Sequence, residues 1–367
     1  MRFSVRSVAA IAGLVSVLIG AVGSATAHVE YVTPGGDPID VLEFLIVALT
    51  TPFNLAVIGA GGLAVTAVGI VYLRLRPLRT DIKVFRRTLG SYEELLPWLL
   101  RLSIGLPLVG AGFSGYFFSP AVQPPAPVFV RLFGITIGFL LLFGFGTRLV
   151  AAIGLVSYLV AFTVQPALML AFEYVPGFLA IALVGGGRPS ADHVVASMAA
   201  DDRTLYSRID PFYRQVALPF VERTKHLTAY VPTVIRIGVG ISFIYLGVAQ
   251  KLMRPGEALA VVAKYDLTAV VPVPPELWVL GAGLTEALVG VLLIVGAFTR
   301  AAAGVAFLLF VTTLFGLPDD PVLAHISLFG LVSALLVTGG GPLSIDRALH
   351  ESTQTDSEVP RDPVRGD

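Results

Sequence analysis

The chain has 367 residues, of which 55% are hydrophobic and only 14% charged, with a mean hydropathy of +0.83. Soluble domains carry about 25% charged residues, so the composition excludes an ordinary soluble fold and makes lipid the main solvent. Twenty-five basic and twenty-five acidic residues cancel, and the absence of cysteine excludes disulfides, a thiolate nucleophile, Cys-ligated zinc, iron–sulfur clusters and c-type haem attachment.

Residues 1–27 place Arg2 and Arg6 before an apolar run from Val8 to Val22, followed by Ala25-Thr26-Ala27. That order is the one a secretion signal uses. The segment reads either as a cleaved signal peptide or as a retained anchor helix. Cleavage would leave His28 as the new N-terminus. The segment 28–97 then holds a short apolar stretch, Asp40 to Thr51, expected at the interface, and a first span at Phe53–Leu73. It closes with a basic loop carrying Arg74, Arg76, Arg79, Lys83, Arg86 and Arg87 against the single acid Asp81.

Residues 98–195 predict four spans, near Trp98–Phe118, Val128–Phe145, Leu149–Val164 and Ala167–Val184. A spanning helix needs about 20 apolar residues, with roughly 17–25 the usual range. The connector 196–233 is polar and basic. Residues 234–348 predict four more spans, near Val234–Lys251, Leu277–Val295, Ala301–Leu317 and Val322–Thr338. The tail, 349–367, has no apolar periodicity and is expected to be disordered.

The two groups of four spans share a pattern. Arg101, Gly105, Gly112 and Pro120 recur 135 positions later as Arg236, Gly240, Gly247 and Pro255. Gly144, Thr147 and Arg148 recur after 152 as Gly296, Thr299 and Arg300, and Gly185 to Gly187, Ser190 and Asp192 after 154 as Gly339 to Gly341, Ser344 and Asp346. The chain therefore reads as an all-α integral membrane protein built from two parallel four-helix repeats plus one additional N-terminal span. Cationic loops stay cytoplasmic. Nine spans in the cell membrane, with the mature N-terminus outside, put every basic loop and the C-terminus inside.

The candidate site comes from what the copies do not share. Glu286 lies inside its span between Gly283 and Gly290 on the same face. A charged, unpaired acid at that depth costs several kcal/mol, so it must face a partner in the bundle or stay protonated. Lys251, at the outer end of the first span of copy two, reads either as a snorkelling cation or as that partner. His325, near the outer end of the last span, reads either as a packed core residue or as a third site member. Their equivalents in copy one are Tyr116, Gly134 and Ala171, which removes all three polar groups. Copy one has Glu173 instead, aligned with Ser327. Lys264 and Tyr265, in the long outer loop of copy two, could close over such a site. Arg236 reads as a snorkelling cation at the inner boundary. The two Thr-Arg corners read as a threonine helix cap with an arginine at the lipid headgroups. The Gly-Gly-Gly…Ser-x-Asp ends read as a glycine stop followed by Ser/Asp capping.

Residues 234–348 resemble the DoxX family of four-helix membrane proteins. Arg236-x-x-x-Gly240, Gly247-x-x-x-Lys251, Glu286-x-x-x-Gly290, Gly296-x-x-Thr299-Arg300, His325 and Gly339-Gly-Gly-x-x-Ser344-x-Asp346 carry the likeness. Residues 98–195 resemble it in degenerate form. The resemblance implies quinone-linked redox chemistry, as in the small subunit of a thiosulfate:quinone oxidoreductase, or a membrane subunit that organises other enzymes. The expectation is thus a redox subunit using Glu286, His325 and Lys251 with a quinone as cofactor. No metal is predicted, and the partners are the lipid bilayer and a soluble or membrane redox protein, with no nucleic acid. A non-catalytic scaffold docking a soluble enzyme and a small-solute transporter are the alternatives.

Overall fold

The computed structural model describes residues 36–75, 77–124, 126–209, 213–320 and 322–349. The signal or anchor segment, His28 and the tail beyond Leu349 lie outside them. Within the described residues the fold is helical, with no strand. Helix α1 (Val41–Thr50) is capped by Asp40, whose carboxylate accepts from the backbone of Leu42 and Glu43. Helix α2 (Pro52–Leu75) is apolar all round, and Asn54 in its first turn is the one buried residue among those described. Its sides therefore belong to lipid. Helix α3 (Arg79–Gly90) is amphipathic and basic, and none of it is buried.

The first bundle consists of α4 (Leu96–Ser114), α5 (Pro127–Phe143), α6 (Thr147–Val164) and α7 (Tyr174–Val184). A connector of short helices follows, with α8 (Ala191–Ala200), α9 (Leu205–Ile209) and α10 (Leu218–Thr224). The second bundle begins with α11 (Val231–Ile244), which continues as a π-helical segment over Tyr245–Leu252. Two short helices, α12 (Pro255–Lys264) and α13 (Leu267–Val270), precede α14 (Pro275–Val295), α15 (Thr299–Gly316) and α16 (Val322–Thr338). Among the described residues, six helical stretches are long and apolar enough to cross a membrane; α5, α7 and α16 are shorter apolar helices at three of the expected span positions. The molecule is an all-α, multi-pass membrane protein.

One expected span is broken. Ala167–Val184 forms a 3-10 turn over Pro166–Ala171 and then a separate helix of 11 residues. Pro176 explains the break, because it has no N–H to donate and is tolerated only in the first turn of α7.

Close helix pairs depend on glycine. A methyl built on Gly240 would lie 2.7 Å from the carbonyl oxygen of Gly290, and one on Gly290 2.6 Å from that of Gly240. Gly105 and Gly138 stand in the same relation between α4 and α5, at 2.9 and 2.7 Å. Small residues let two backbones touch where lipid offers no hydrophobic drive.

The corners at the arginine-bearing end correct three sequence expectations. The threonines do not cap: Thr147 and Thr299 are fully buried, and their hydroxyls have no hydrogen-bond partner among the described residues. Asp192 caps α6 instead, accepting from the backbone N–H of Gly146 at 2.6 Å and Thr147 at 2.9 Å. Asp346 does the same for Phe298 and Thr299, both at 2.8 Å. Nor do the arginines reach for headgroups. Arg148 donates to the carbonyl of Leu183 and the hydroxyl of Thr224, and Arg300 to the carbonyls of Leu336 and Val337. Each closes the C-terminal turn of the following helix, whose last carbonyls lack partners. Ser190 and Ser344 do cap, accepting from His193 and Arg347.

Arg236 likewise does not snorkel. It is 1% exposed and donates to the carbonyls of Gly340 at 3.0 Å, Leu293 at 3.1 Å and Leu343 at 2.7 Å, and to that of Ile294. Arg101 is buried in the same way against Leu142 and Pro189. Burying a guanidinium is costly unless its donors are satisfied; two helix ends supply the acceptors for Arg236, while Arg101 keeps its Nε without a partner among the described residues.

The two bundles share one apolar core. They meet through α4 against α16 and α11 against α7. At one crossing Gly330 lies against Ser103, and at the other Gly238 lies against the ring of Pro176. Between them Ser327 on α16 donates to the buried carboxylate of Glu173 at 3.1 Å.

Candidate functional site

The candidate site lies at the end of the second bundle opposite the arginines. Its first element is the π-helical segment Tyr245–Leu252. The backbone N–H of Met253 closes it on the carbonyl of Val248, at 2.9 Å. Such wide turns are rare and concentrate at functional sites. In the first bundle α4 simply stops at Gly115, in a left-handed conformation with φ 82°. The equivalent residue of the second bundle is Gln250, which a further 135 positions separate from Gly115. There the chain stays helical and carries Lys251 onward.

This continuation delivers Lys251 to Glu286. Its Nζ lies 2.7 Å from Oε2 and 2.9 Å from Oε1, with side-chain exposures of 27% and 16%. Gly247 makes room, because any side chain there would press on the α14 backbone at Gly283 and Ala287. Beside the pair, buried Gln250 donates to the hydroxyl of buried Tyr245 at 2.9 Å. Tyr245 packs with Ala249 and with Met169 of the first bundle.

His325 sits in the first turn of α16 and is buried against the ring of Phe310. Its Nε2 is 3.6 Å from Oδ2 of Asp320, an ion-pair distance. Asp320 is 4% exposed, and its Oδ1 is buried without a hydrogen-bond partner among the described residues. Burial pushes its carboxyl pKa up, while the charges of His325 and Lys251 pull it back down. Lys251 and Glu286 meet directly, and His325 stands at ion-pair distance from a fourth residue, Asp320.

Asp320 is absent from the sequence-based site because two adjacent acids in a short loop read as solvated charge. A usable signal existed. At the 154-residue offset Asp320 falls on Pro166, so it differs between the two bundles as Glu286 and His325 do. Its neighbour Asp319 faces outward and receives hydrogen bonds from Lys264 Nζ and the Tyr265 hydroxyl, both at 2.8 Å. The long loop is thereby tied to the loop that carries Asp320. Helices α1, α12 and α13 add an apolar cover around Phe44, Val262, Leu267 and Leu277.

The corresponding end of the first bundle is filled with rings. Phe118 contacts Phe117, Phe133, Tyr158, Tyr174 and Phe178 edge-on or tilted, at centroid distances of 4.5–6.2 Å. Glu173 is the buried carboxylate there, and no cation is paired with it among the described residues.

Fold and site together define a helical membrane protein with a partly buried charged cluster at one end of its second bundle. Residues 231–318 match the DoxX family model, which supports DoxX membership for that part of the chain. The match takes in Lys251 and Glu286 and ends just before Asp319, Asp320 and His325. No curated protein and no solved structure matches the chain.

Proposed function

We propose that this protein is an integral membrane subunit of a quinone-linked redox system, with its quinone site at the charged end of the second bundle. The observation that carries the reading is the Lys251–Glu286 pair, held by a π-helical turn beside Asp320 and His325. The donor set fits a quinone. Lys251 and His325 are donors suited to a carbonyl oxygen, and the unpartnered Oδ1 of Asp320 is an acceptor suited to a hydroxyl. When bound, a quinone supplies a two-electron, two-proton couple. The residues of this chain orient the head group, and Glu286 holds or passes a proton at its carboxylate while Lys251 stabilises the anion. Electrons come from a partner, with thiosulfate:quinone oxidoreductase chemistry as the specific form. The two bundles are read as parallel copies of one unit, of which only the second keeps the ionisable set. The reading sets the mature N-terminus outside and the C-terminus in the cytoplasm.

The test is purification in mild detergent with bound partners, followed by identification of co-purifying quinones and proteins. Glu286→Gln and His325→Ala should abolish quinone-dependent turnover of the complex at unchanged membrane abundance, and Glu173→Gln should leave most of it. A larger loss from Glu173→Gln at equal abundance would move the site to the first bundle. For the orientation, a cysteine replacing Gln123 should react with an impermeant maleimide in intact cells, and one replacing Arg87 should not.

A second reading has its own observation. The connector exposes Leu205, Ile209, Val216 and Phe220 beside its arginines. That surface suits a scaffold docking a soluble enzyme, and recovery of such an enzyme without any quinone would favour it.

A further inference from the structure

Asp320 carries one of the few buried polar atoms left without a partner among the described residues. The residue is 4% exposed, its Oδ1 accepts no hydrogen bond there, and its Oδ2 is 3.6 Å from His325, beyond ordinary hydrogen-bond length. A buried acceptor left unsatisfied is costly, and more so when charged. Native structures hold few such groups, and each calls for an explanation.

The surroundings restrict what could complete it. The ammonium of Lys251 acts on the Asp320 carboxylate, so a metal cation at Oδ1 would meet a positive group already in place. A carbonyl or an anion would meet the carboxylate lone pairs. A neutral O–H donor satisfies Oδ1 without either repulsion.

We infer that Asp320 is a specificity-determining residue whose Oδ1 accepts a hydrogen bond from a ligand hydroxyl, so that the site selects the reduced, hydroxyl-bearing form of its quinone-class ligand over the oxidised form. The inference rests on the quinone reading above and adds a direction to it: the protein holds quinol more tightly than quinone. Lys251 and His325 alone favour the opposite order, since both donate to carbonyl oxygen. The acceptor on Asp320 therefore decides which redox form stays.

The experiment uses the full-length protein in mild detergent, with anaerobic calorimetric titration of duroquinol and of duroquinone. The wild type should bind duroquinol at least about tenfold more tightly, equivalent to about 1.4 kcal/mol. Asp320→Asn, which gains an N–H donor at the same position, should bring the two affinities within about twofold. Equal affinities in the wild type would overturn the inference and leave the quinone reading standing, without recourse to any variant. An unchanged preference in a folded Asp320→Asn protein would also overturn it, and would assign Oδ1 to an ordered water. Binding of neither form would sink the quinone reading and this inference with it.

Discussion

At the scale of single residues, the buried arginines show how charge is used for construction. Arg236 ties α11 to the end of α14 and to the turn after α16 through four carbonyl acceptors. Replacing it by Met would leave those carbonyls buried without a donor. Charge-assisted hydrogen bonds contribute roughly 1.5–3 kcal/mol each where no substitute exists. Arg236→Met is therefore expected to cost at least about 3 kcal/mol, read as a lowered melting transition in detergent. Arg236→Lys should recover little of it, because a single ammonium cannot span two helix ends. Full recovery by Lys would show that charge alone matters there. The sequence places this arginine at a span boundary and leaves its direction open. Only the neighbouring helix ends decide between lipid headgroup and carbonyl cage.

At the scale of elements, the loop between the π-helical segment and α14 separates the second bundle from the first. It is fastened by Asp319 to Lys264 and Tyr265. Hydrogen bonds from Lys264 and Tyr265 hold the Asp319 carboxyl below its usual pKa, and the same contact with Asp319 raises Lys264. The signs set a window. The Asp319 contribution is present above its unfolded value of about 4 and is lost as pH falls through the lowered folded value. The Lys264 contribution is present below about 10.4 and is lost as pH rises through its raised folded value. The fastening should therefore hold at neutral pH and release in acid. Amide exchange in Leu267–Val270, corrected for intrinsic rates, should accelerate at low pH, and Asp319→Asn should produce that faster exchange at neutral pH. Exchange indifferent to both changes would mean that the apolar cover alone keeps the loop in place. The long loop and its Lys-Tyr pair are legible in sequence. The partner Asp319 is not, because the contact joins residues 55 positions apart.

At the scale of the whole molecule, the two bundles interlock by matching positions. Ser103 and Gly238 are related by the 135-residue offset, and Pro176 and Gly330 by the 154-residue offset. Ser103 packs on Gly330 while Pro176 packs on Gly238, so the two crossings are reciprocal, as in a two-fold interface. Glu173 and Ser327, also related by 154, touch each other between them. Gly238→Ala and Gly330→Ala should each destabilise the protein by about 1–3 kcal/mol through overpacking of this seam. Gly59→Ala and Gly62→Ala in α2, where an added methyl meets nothing within 4 Å, should be close to neutral. Equal effects at all four positions would argue for helix propensity as the cause.

What the sequence by itself determined is whatever depends on local pattern. Apolar runs bounded by Gly, Pro and charge specify membrane helices, because lipid requires each segment to satisfy its own backbone. Glycines at helical spacing mark where helices approach. The comparison of Lys251, Glu286 and His325 with Tyr116, Gly134 and Ala171 locates the candidate site in the second bundle. The tertiary structure decided the rest: that Asp192 and Asp346 cap the helices in place of threonine, that Arg236 is caged by carbonyls, and that a π-helical turn aims Lys251 at Glu286. The physical reason is common to all three. A polar group in a membrane protein goes to whichever unsatisfied partner the packed helices bring within about 3 Å, and that partner lies tens of residues away in the chain.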